Sequence, residues 1–139
     1  MRFKYKNLLV TGGAGFIGSN FIEFILSEYS DFNIYNLDLL TYAGNIKNTR
    51  TFKKNDNFKF IKGDITDEAL LTKIFKKYKI DGVINFAAET HVDNSISNPK
   101  KFIITNINGV FNLLKTSYNF WHYGAFKIKN EYKHARFHQ

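Results

Sequence analysis

The stretch "TGGAGFIGSN", residues 11 to 20, constrains this chain more than any other, because it sets four glycines directly after the apolar run "NLLV". Gly12, Gly15 and Gly18 form GxxGxxG between a strand pattern and a helix pattern. At such a junction the first glycine permits a tight turn, and the second lets backbone approach a pyrophosphate. The third lets helix and strand pack closely. The helix start adds unpaired N–H groups and a positive dipole end, which favour an anion. A glycine pattern alone is weak, since many turns collect glycine, so its surroundings decide.

Those surroundings alternate strand and helix signals without an internal repeat, the rhythm of a parallel sheet. "KNLLVT" reads as a buried first strand. Residues 15 to 29 follow as a helix with Ile17, Phe21, Phe24 and Ile25 at i, i+4, i+7 and i+8, a face expected to pack on the sheet. "NIYNLDLL" and "FKFIKGD" give the second and third strands. Thr66 is the expected N-cap of a helix whose Leu71, Ile74, Phe75 and Tyr78 form one stripe, with Asp67 and Glu68 suiting its dipole. "DGVINFAA" is the fourth strand, and Asn98 and Pro99 open a long helix carrying Ile103, Ile107, Val110 and Leu114 along one side. Through "NFWHYGAFKIKNEYKH" the pattern decays into "ARFHQ", the first residues of a fifth strand. The expected fold is α/β, a Rossmann-type doubly wound parallel sheet truncated at the start of the fifth strand, with residues 1–139 forming one NAD-binding domain.

Asp38 stands at the end of the second strand, 20 residues after Gly18 (38 minus 18), where a carboxylate would accept both ribose hydroxyls of an adenosine. The alternative is a strand-end Asp that caps the next turn. A carboxylate there repels a 2′-phosphate, and Leu39 and Leu40 supply no arginine to welcome one, so NAD is expected over NADP.

Composition closes other routes. The 139 residues include no cysteine, which excludes disulfides and thiolate metal sites, and four histidines, among them His91, His122 and His134, show no ligand spacing. No metal is expected. The net charge of +8 invites a nucleic-acid partner, but the lysines fall as scattered pairs (Lys53-Lys54, Lys76-Lys77, Lys100-Lys101) at helix ends and exposed faces, as on a solvated surface. No apolar run reaches the roughly 18 residues of a membrane span, and the start shows no signal-peptide pattern, so no membrane partner and a cytoplasmic location are expected.

"TGGAGFIGSN", "NLDLLTYAGN", "KGDITD" and "NFAAETHVDNSISNP", in that order, resemble the N-terminal part of the dTDP-glucose 4,6-dehydratases, within the extended short-chain dehydrogenase/reductase superfamily. The glycine motif is shared across that superfamily, whereas "LTYAGN" and "AAETHVD" point to the dehydratases. The resemblance implies that Phe16 and Ile17 present backbone to the NAD pyrophosphate, that Asp38, Leu39, Leu40 and Thr41 hold the adenosine ribose, and that Asp64 and Ile65 flank the adenine. It places Ala87 and Ala88 on the nicotinamide side, Thr90 and His91 at the edge of the sugar pocket, Thr90 being counted with the cofactor contacts and His91 with the substrate, and Thr105 in the cofactor cleft. Simpler roles stand beside these: Ala87 and Ala88 as small residues where a strand passes under a helix, His91 as a helix-start cap, Asp64 as a turn former after Gly63.

Two departures from the family pattern stand out. Leu39 replaces the lysine of Asp-Lys-Leu-Thr, and Asn94 replaces the arginine of His-Val-Asp-Arg-Ser, which removes a positive charge near where a diphosphate sugar would lie. The resemblance also implies a reaction in which hydride passes from sugar C4 to NAD, the C5 proton and C6 hydroxyl leave as water, and hydride returns to C6. It is carried by a Ser-Thr-Asp-Glu-Val-Tyr-Gly motif and a Tyr-x-x-x-Lys pair that are expected to be absent here. "YGAFK", Tyr123 to Lys127, matches the second spacing but precedes the fifth strand, so it is expected to be an aromatic contact or loop and no catalytic residue is assigned. The partner implied is a nucleotide sugar. The intact family forms homodimers, which is doubtful for the 139 residues alone.

Overall fold

A computed structural model describes residues 6–139. Five strands, β1 (Asn7–Thr11), β2 (Asn33–Asp38), β3 (Phe58–Lys62), β4 (Gly82–Asn85) and β5 (Arg136–His138), form one sheet in the order β3-β2-β1-β4-β5, every pairing parallel. The chain leaves β1 in one direction, adds β2 and β3, then returns to add β4 and β5 on the other side. This reversal puts a crevice beyond the C-terminal ends of β1 and β4.

Alternation along β1 divides the core in two. Leu8 and Val10 point to one face with Ile34, Phe32, Phe52 and Ile22 of α1 (Phe16–Glu28). Leu9 points to the other, where Leu37 and Val83 meet Leu71, Ile74 and Phe75 of α2 (Glu68–Tyr78) and Leu113 and Trp121 of α5 (Val110–Trp121). Trp121 also donates its indole N–H to the Ile80 carbonyl at 2.8 Å, so the aromatic anchor of α5 leaves no buried donor unpaired. The stripe expected on α2 is the one that packs.

Elsewhere the packed faces differ from the periodicity. Ile17 and Phe24 of α1 are exposed at 67% and 55%, and the buried face is Gly18, Ser19 and Ile22, with Phe21 and Ile25 at its margin. Small residues let the start of the helix lie directly against the glycine turn, which rotates the larger apolar groups outward. The N-cap of α2 is Asp67, whose carboxylate accepts from Leu70 N–H at 2.9 Å. Thr66, expected there, instead donates its N–H to Asp64 and gives its carbonyl to Asn112.

The long helix is built in pieces. α3 (Val92–Ser97), which the sequence reading did not anticipate, precedes α4 (Pro99–Phe102), a π-helical segment Ile103–Gly109 and α5. Ile103, Ile107 and Leu114 of the expected stripe are exposed, as are Phe111 and Tyr118. The helix packs through Gly109, Leu113, Thr116, Ser117 and Trp121.

Candidate cofactor site

The glycine loop is held from three directions. Gly12 donates its N–H to the Leu37 carbonyl at 3.0 Å, Gly13 donates to the Asn36 side chain at 3.1 Å, and Ala14 donates to the Asp38 carboxylate at 2.9 Å. β2 therefore clamps the turn that leaves β1. Asn36 is fully buried in mid-strand, a position that no pattern flags as functional. The carbonyl of Ala14 accepts from Asn45 N–H at 3.0 Å and from the Asn48 side chain at 2.8 Å, so the loop after β2 closes the third side. At the foot of the turn the Thr11 hydroxyl donates to Asn85 across the β1–β4 pairing.

The three motif glycines have distinct surroundings. Gly12 has φ +69°, and a Cβ on it would lie 2.6 Å from Ala87 N. A Cβ on Gly18 would lie 2.5 Å from the Gly12 carbonyl, so the third glycine brings α1 against the turn itself rather than against a strand. Gly15 is different: a Cβ there would meet only the Gly12 carbonyl at 3.2 Å and Ala43 O at 3.9 Å, because this residue borders an open cleft. It is the N-cap of α1 and gives no side-chain acceptor to the first turn, where Phe16 and Ile17 stand exposed. Their N–H groups precede the helical ladder.

The cleft runs across the C-terminal ends of β1 to β4. Of the expected site residues, Gly12, Gly15, Asp38, Leu39, Thr41, Asp64, Ile65, Ala87, Ala88 and Thr105 line it. Phe16, Ile17 and Gly18 lie in the α1 turn beside it, and Leu40 takes φ 58° in the turn that follows β2. Thr90 and His91 are exposed and stand off the cleft wall; the His91 ring meets Tyr42 edge-on, 6.0 Å between centroids. His91 is also the N-cap of α3, without a side-chain bond, so the simpler role weighed for it is part of its position.

Asp38 does two jobs at once. It is 8% exposed, and its oxygens accept from Ala14 N–H at 2.9 Å and Leu40 N–H at 2.8 Å. The carboxylate thus caps the turn, as the alternative reading held, and it also lines the cleft, each oxygen having accepting capacity beyond these bonds. Asp64 likewise makes the turn after β3, accepting from Thr66 N–H at 2.8 Å, and still lines the cleft. Ile65 lines it while packing in the core against Gly109.

Glu89 also lines the cleft and was quoted in the sequence without a role. It is 6% exposed and pairs with Lys101 at 2.9 Å. The Asn106 amide grips its main chain, accepting from Glu89 N–H at 2.8 Å and donating to the Glu89 carbonyl at 2.9 Å. Tyr123 and Lys127 lie far from helical geometry: Tyr123 N–H donates to the Lys127 carbonyl at 2.9 Å across a tight turn. Among the described residues no three His, Asp or Glu gather as a metal site, and no helix is long and apolar enough to cross a membrane.

Comparison with known proteins agrees with this geometry. The family described as GDP-mannose 4,6 dehydratase matches residues 9–139. A dTDP-glucose 4,6-dehydratase of Haemophilus influenzae is 47% identical over 116 residues, which is 84% of this chain and 34% of that protein. Among solved structures, DesIV of Streptomyces venezuelae, a dTDP-glucose 4,6-dehydratase with NAD bound, superposes with TM-score 0.75 at 40% identity, over 80% of this chain and 35% of that one. A UDP-glucose 4-epimerase of Thermotoga maritima gives TM-score 0.72 at 32% identity, over 82% and 34%. The chain spans about a third of the length of the curated relatives it matches.

Proposed function

The chain belongs to the GDP-mannose 4,6 dehydratase family, and from that membership we propose that it is the NAD-binding portion of a nucleotide-sugar 4,6-dehydratase whose substrate is dTDP-glucose. One observation carries the reading: Gly15, the N-cap of α1, lines an open cleft that has Asp38 at the end of β2 as one wall, with the first turn of α1 beside it. Backbone N–H groups of Phe16 and Ile17 hold the pyrophosphate, where the helix dipole favours its charge. Asp38 takes the adenosine ribose beside Leu39, Leu40 and Thr41, and Asp64 and Ile65 border the adenine. Ala87, Ala88 and Thr105 border the nicotinamide half, Thr90 reaches it from beyond the cleft wall, and His91 with Tyr42 faces the sugar. Bound there, NAD supplies a reversible hydride acceptor, and the residues of this chain orient it and shield it from water.

Asp38→Ala is expected to weaken NAD binding by roughly 1–3 kcal/mol, the range for hydrogen bonds to a charged acceptor. In the parent chain NADP should bind more weakly than NAD, because its 2′-phosphate meets the Asp38 carboxylate. Calorimetry checks both; unchanged NAD affinity in a folded variant, or equal affinity for the two nucleotides, contradicts the assignment.

The turn that holds Tyr123 and Lys127 favours a second reading, in which the chain holds NAD as a binding module without completing the sugar chemistry. Neither residue can act as a helical base-and-lysine pair from that position. Incubation of the chain with NAD and dTDP-glucose is expected to give no product lighter by one water in mass spectrometry. Steady product would place the chemistry within these residues. The exposed ridge of Ile107, Phe111, Leu114 and Tyr118 suits pairing with a second copy in the intact protein.

A further inference from the structure

Glu89 presents an unusual arrangement for a buried carboxylate. Its main chain is gripped on both sides by the Asn106 amide, and Oε1 is fixed by Lys101 at 2.9 Å, while Oε2 is buried with no hydrogen-bond partner among the described residues. A buried unpaired acceptor is costly and calls for an explanation. The cost is concentrated at one oxygen, since three other anchoring groups of the same residue are satisfied. Lys101 is itself held, its ammonium 5.5 Å from the centre of the Tyr42 ring, so the carboxylate has little freedom to turn toward another donor.

The position of Glu89 in the fold narrows what the missing donor is. The sheet order β3-β2-β1-β4 puts Asp38 and Asp64 on one flank of the cleft and Glu89 on the other. On the cofactor reading above, on which this inference rests, the adenosine occupies the β2–β3 flank, so the β4 flank receives the nicotinamide riboside. That half carries hydrogen-bond donors of two kinds, ribose hydroxyls and the carboxamide N–H₂. We propose that Glu89 Oε2 is a cofactor-binding acceptor that takes a hydrogen bond from the nicotinamide riboside, with Lys101 and Asn106 as the residues that position it. The proposal explains why a carboxylate sits in the wall of an otherwise neutral flank formed by Ala87, Ala88 and Thr105.

The test compares NAD with ADP, which lacks the nicotinamide riboside, by calorimetry on the whole chain. Glu89→Gln keeps the volume and leaves the Asn106 grip on the main chain intact. It is expected to raise the dissociation constant for NAD about tenfold or more, the effect of one lost bond to a charged acceptor, and to leave ADP unchanged. Lys101→Met, which frees Oε1 but keeps the carboxylate, is expected to show the same selective loss to a smaller degree and serves should Glu89→Gln unfold. NAD and ADP weakening together, or neither weakening, overturns the proposal. Nicotinic acid adenine dinucleotide separates the donors. If the carboxamide donates, this analogue binds the parent chain more weakly than NAD and Glu89→Gln removes the difference; if a ribose hydroxyl donates, both dinucleotides lose affinity equally in the variant. A parent chain that binds neither NAD nor ADP fails the cofactor reading as well, whereas a parent that binds both without selective loss in the variants fails this proposal alone.

Discussion

Gly12→Val is expected to cost the fold several kcal/mol, on the order of 2–5, and to be the most damaging single change in the glycine loop. Two independent penalties add. Gly12 sits at φ +69°, a region that a β-branched residue occupies only under strain. Its Cβ would also lie 2.6 Å from Ala87 N and 2.7 Å from the Phe86 carbonyl carbon, both backbone atoms directly after β4, where Phe86 N–H is tied to the Thr11 carbonyl. A flexible side chain could step aside, but backbone tied in this way cannot. Because Gly12 N–H also closes on the Leu37 carbonyl, a shift of the turn loosens the join between β1 and β2 as well. Urea unfolding should show a much lower midpoint with an unchanged slope. A variant within about 1 kcal/mol of the parent would mean that the turn can relax in a way these contacts do not allow.

Gly15→Val should do the opposite, leaving the fold and abolishing cofactor binding. Gly15 has φ −75° and ψ 174°, extended backbone that valine adopts freely, and the nearest atom to its Cβ is 3.2 Å away. Apart from the Gly12 carbonyl the surroundings of that Cβ are open, because Gly15 borders the cleft, and the added methyl groups fill part of it. There they occupy the space through which a pyrophosphate must reach the first turn of α1. The dissociation constant for NAD is expected to rise at least about a hundredfold, close to 2.7 kcal/mol, while the far-ultraviolet circular dichroism and urea midpoint stay near those of the parent. Retained tight binding would mean that the phosphates lie elsewhere. The two glycines stand three residues apart, so together they separate what the loop does for the fold from what it does for a ligand.

The features that were legible in the sequence are those set by local backbone chemistry. A parallel sheet followed from the βαβ alternation, and "ARFHQ" was recognisable as a strand from five residues; it pairs with β4 as Arg136–His138. The glycine turn and the carboxylate at the end of β2 were legible because each needs a particular residue type at a particular spacing. Periodicity misled where close approach mattered more than apolar content. On α1 and α5 the packed faces combine Gly18, Ser19, Thr116 and Ser117 with only a few large apolar groups, Ile22, Leu113 and Trp121, while Ile17, Phe24, Phe111 and Leu114 turn outward. A π segment cannot be read from a pattern that assumes one period throughout, and the stripe expected along one side of the long helix carried no sign that it faces outward.

The buried amides were the least visible part. Asn36 and Asn106 act as substitutes for backbone, one holding Gly13 and the other gripping Glu89 across 17 positions. An asparagine in a strand or helix interior gives no sign of a distant partner, and its role is fixed only once the fold brings that partner to it. Glu89 was hidden for a related reason. It stands in "AAETHVD" beside residues that carried the resemblance, and nothing in the sequence distinguishes a surface glutamate from one that is 6% exposed in a cleft wall.

The most direct measurement is a titration of the isotopically labelled chain with NAD, followed through its backbone amide resonances. Saturable shifts are expected at Gly12, Gly15, Phe16 and Ile17, at Asp38 to Thr41, at Asp64 and Ile65, and at Ala87 to Glu89, with Lys59 of the edge strand β3 and Tyr78 at the end of α2 unmoved. A folded chain whose amides do not respond to NAD, or respond chiefly away from the C-terminal ends of β1 to β4, would contradict the assignment of this cleft as the cofactor site.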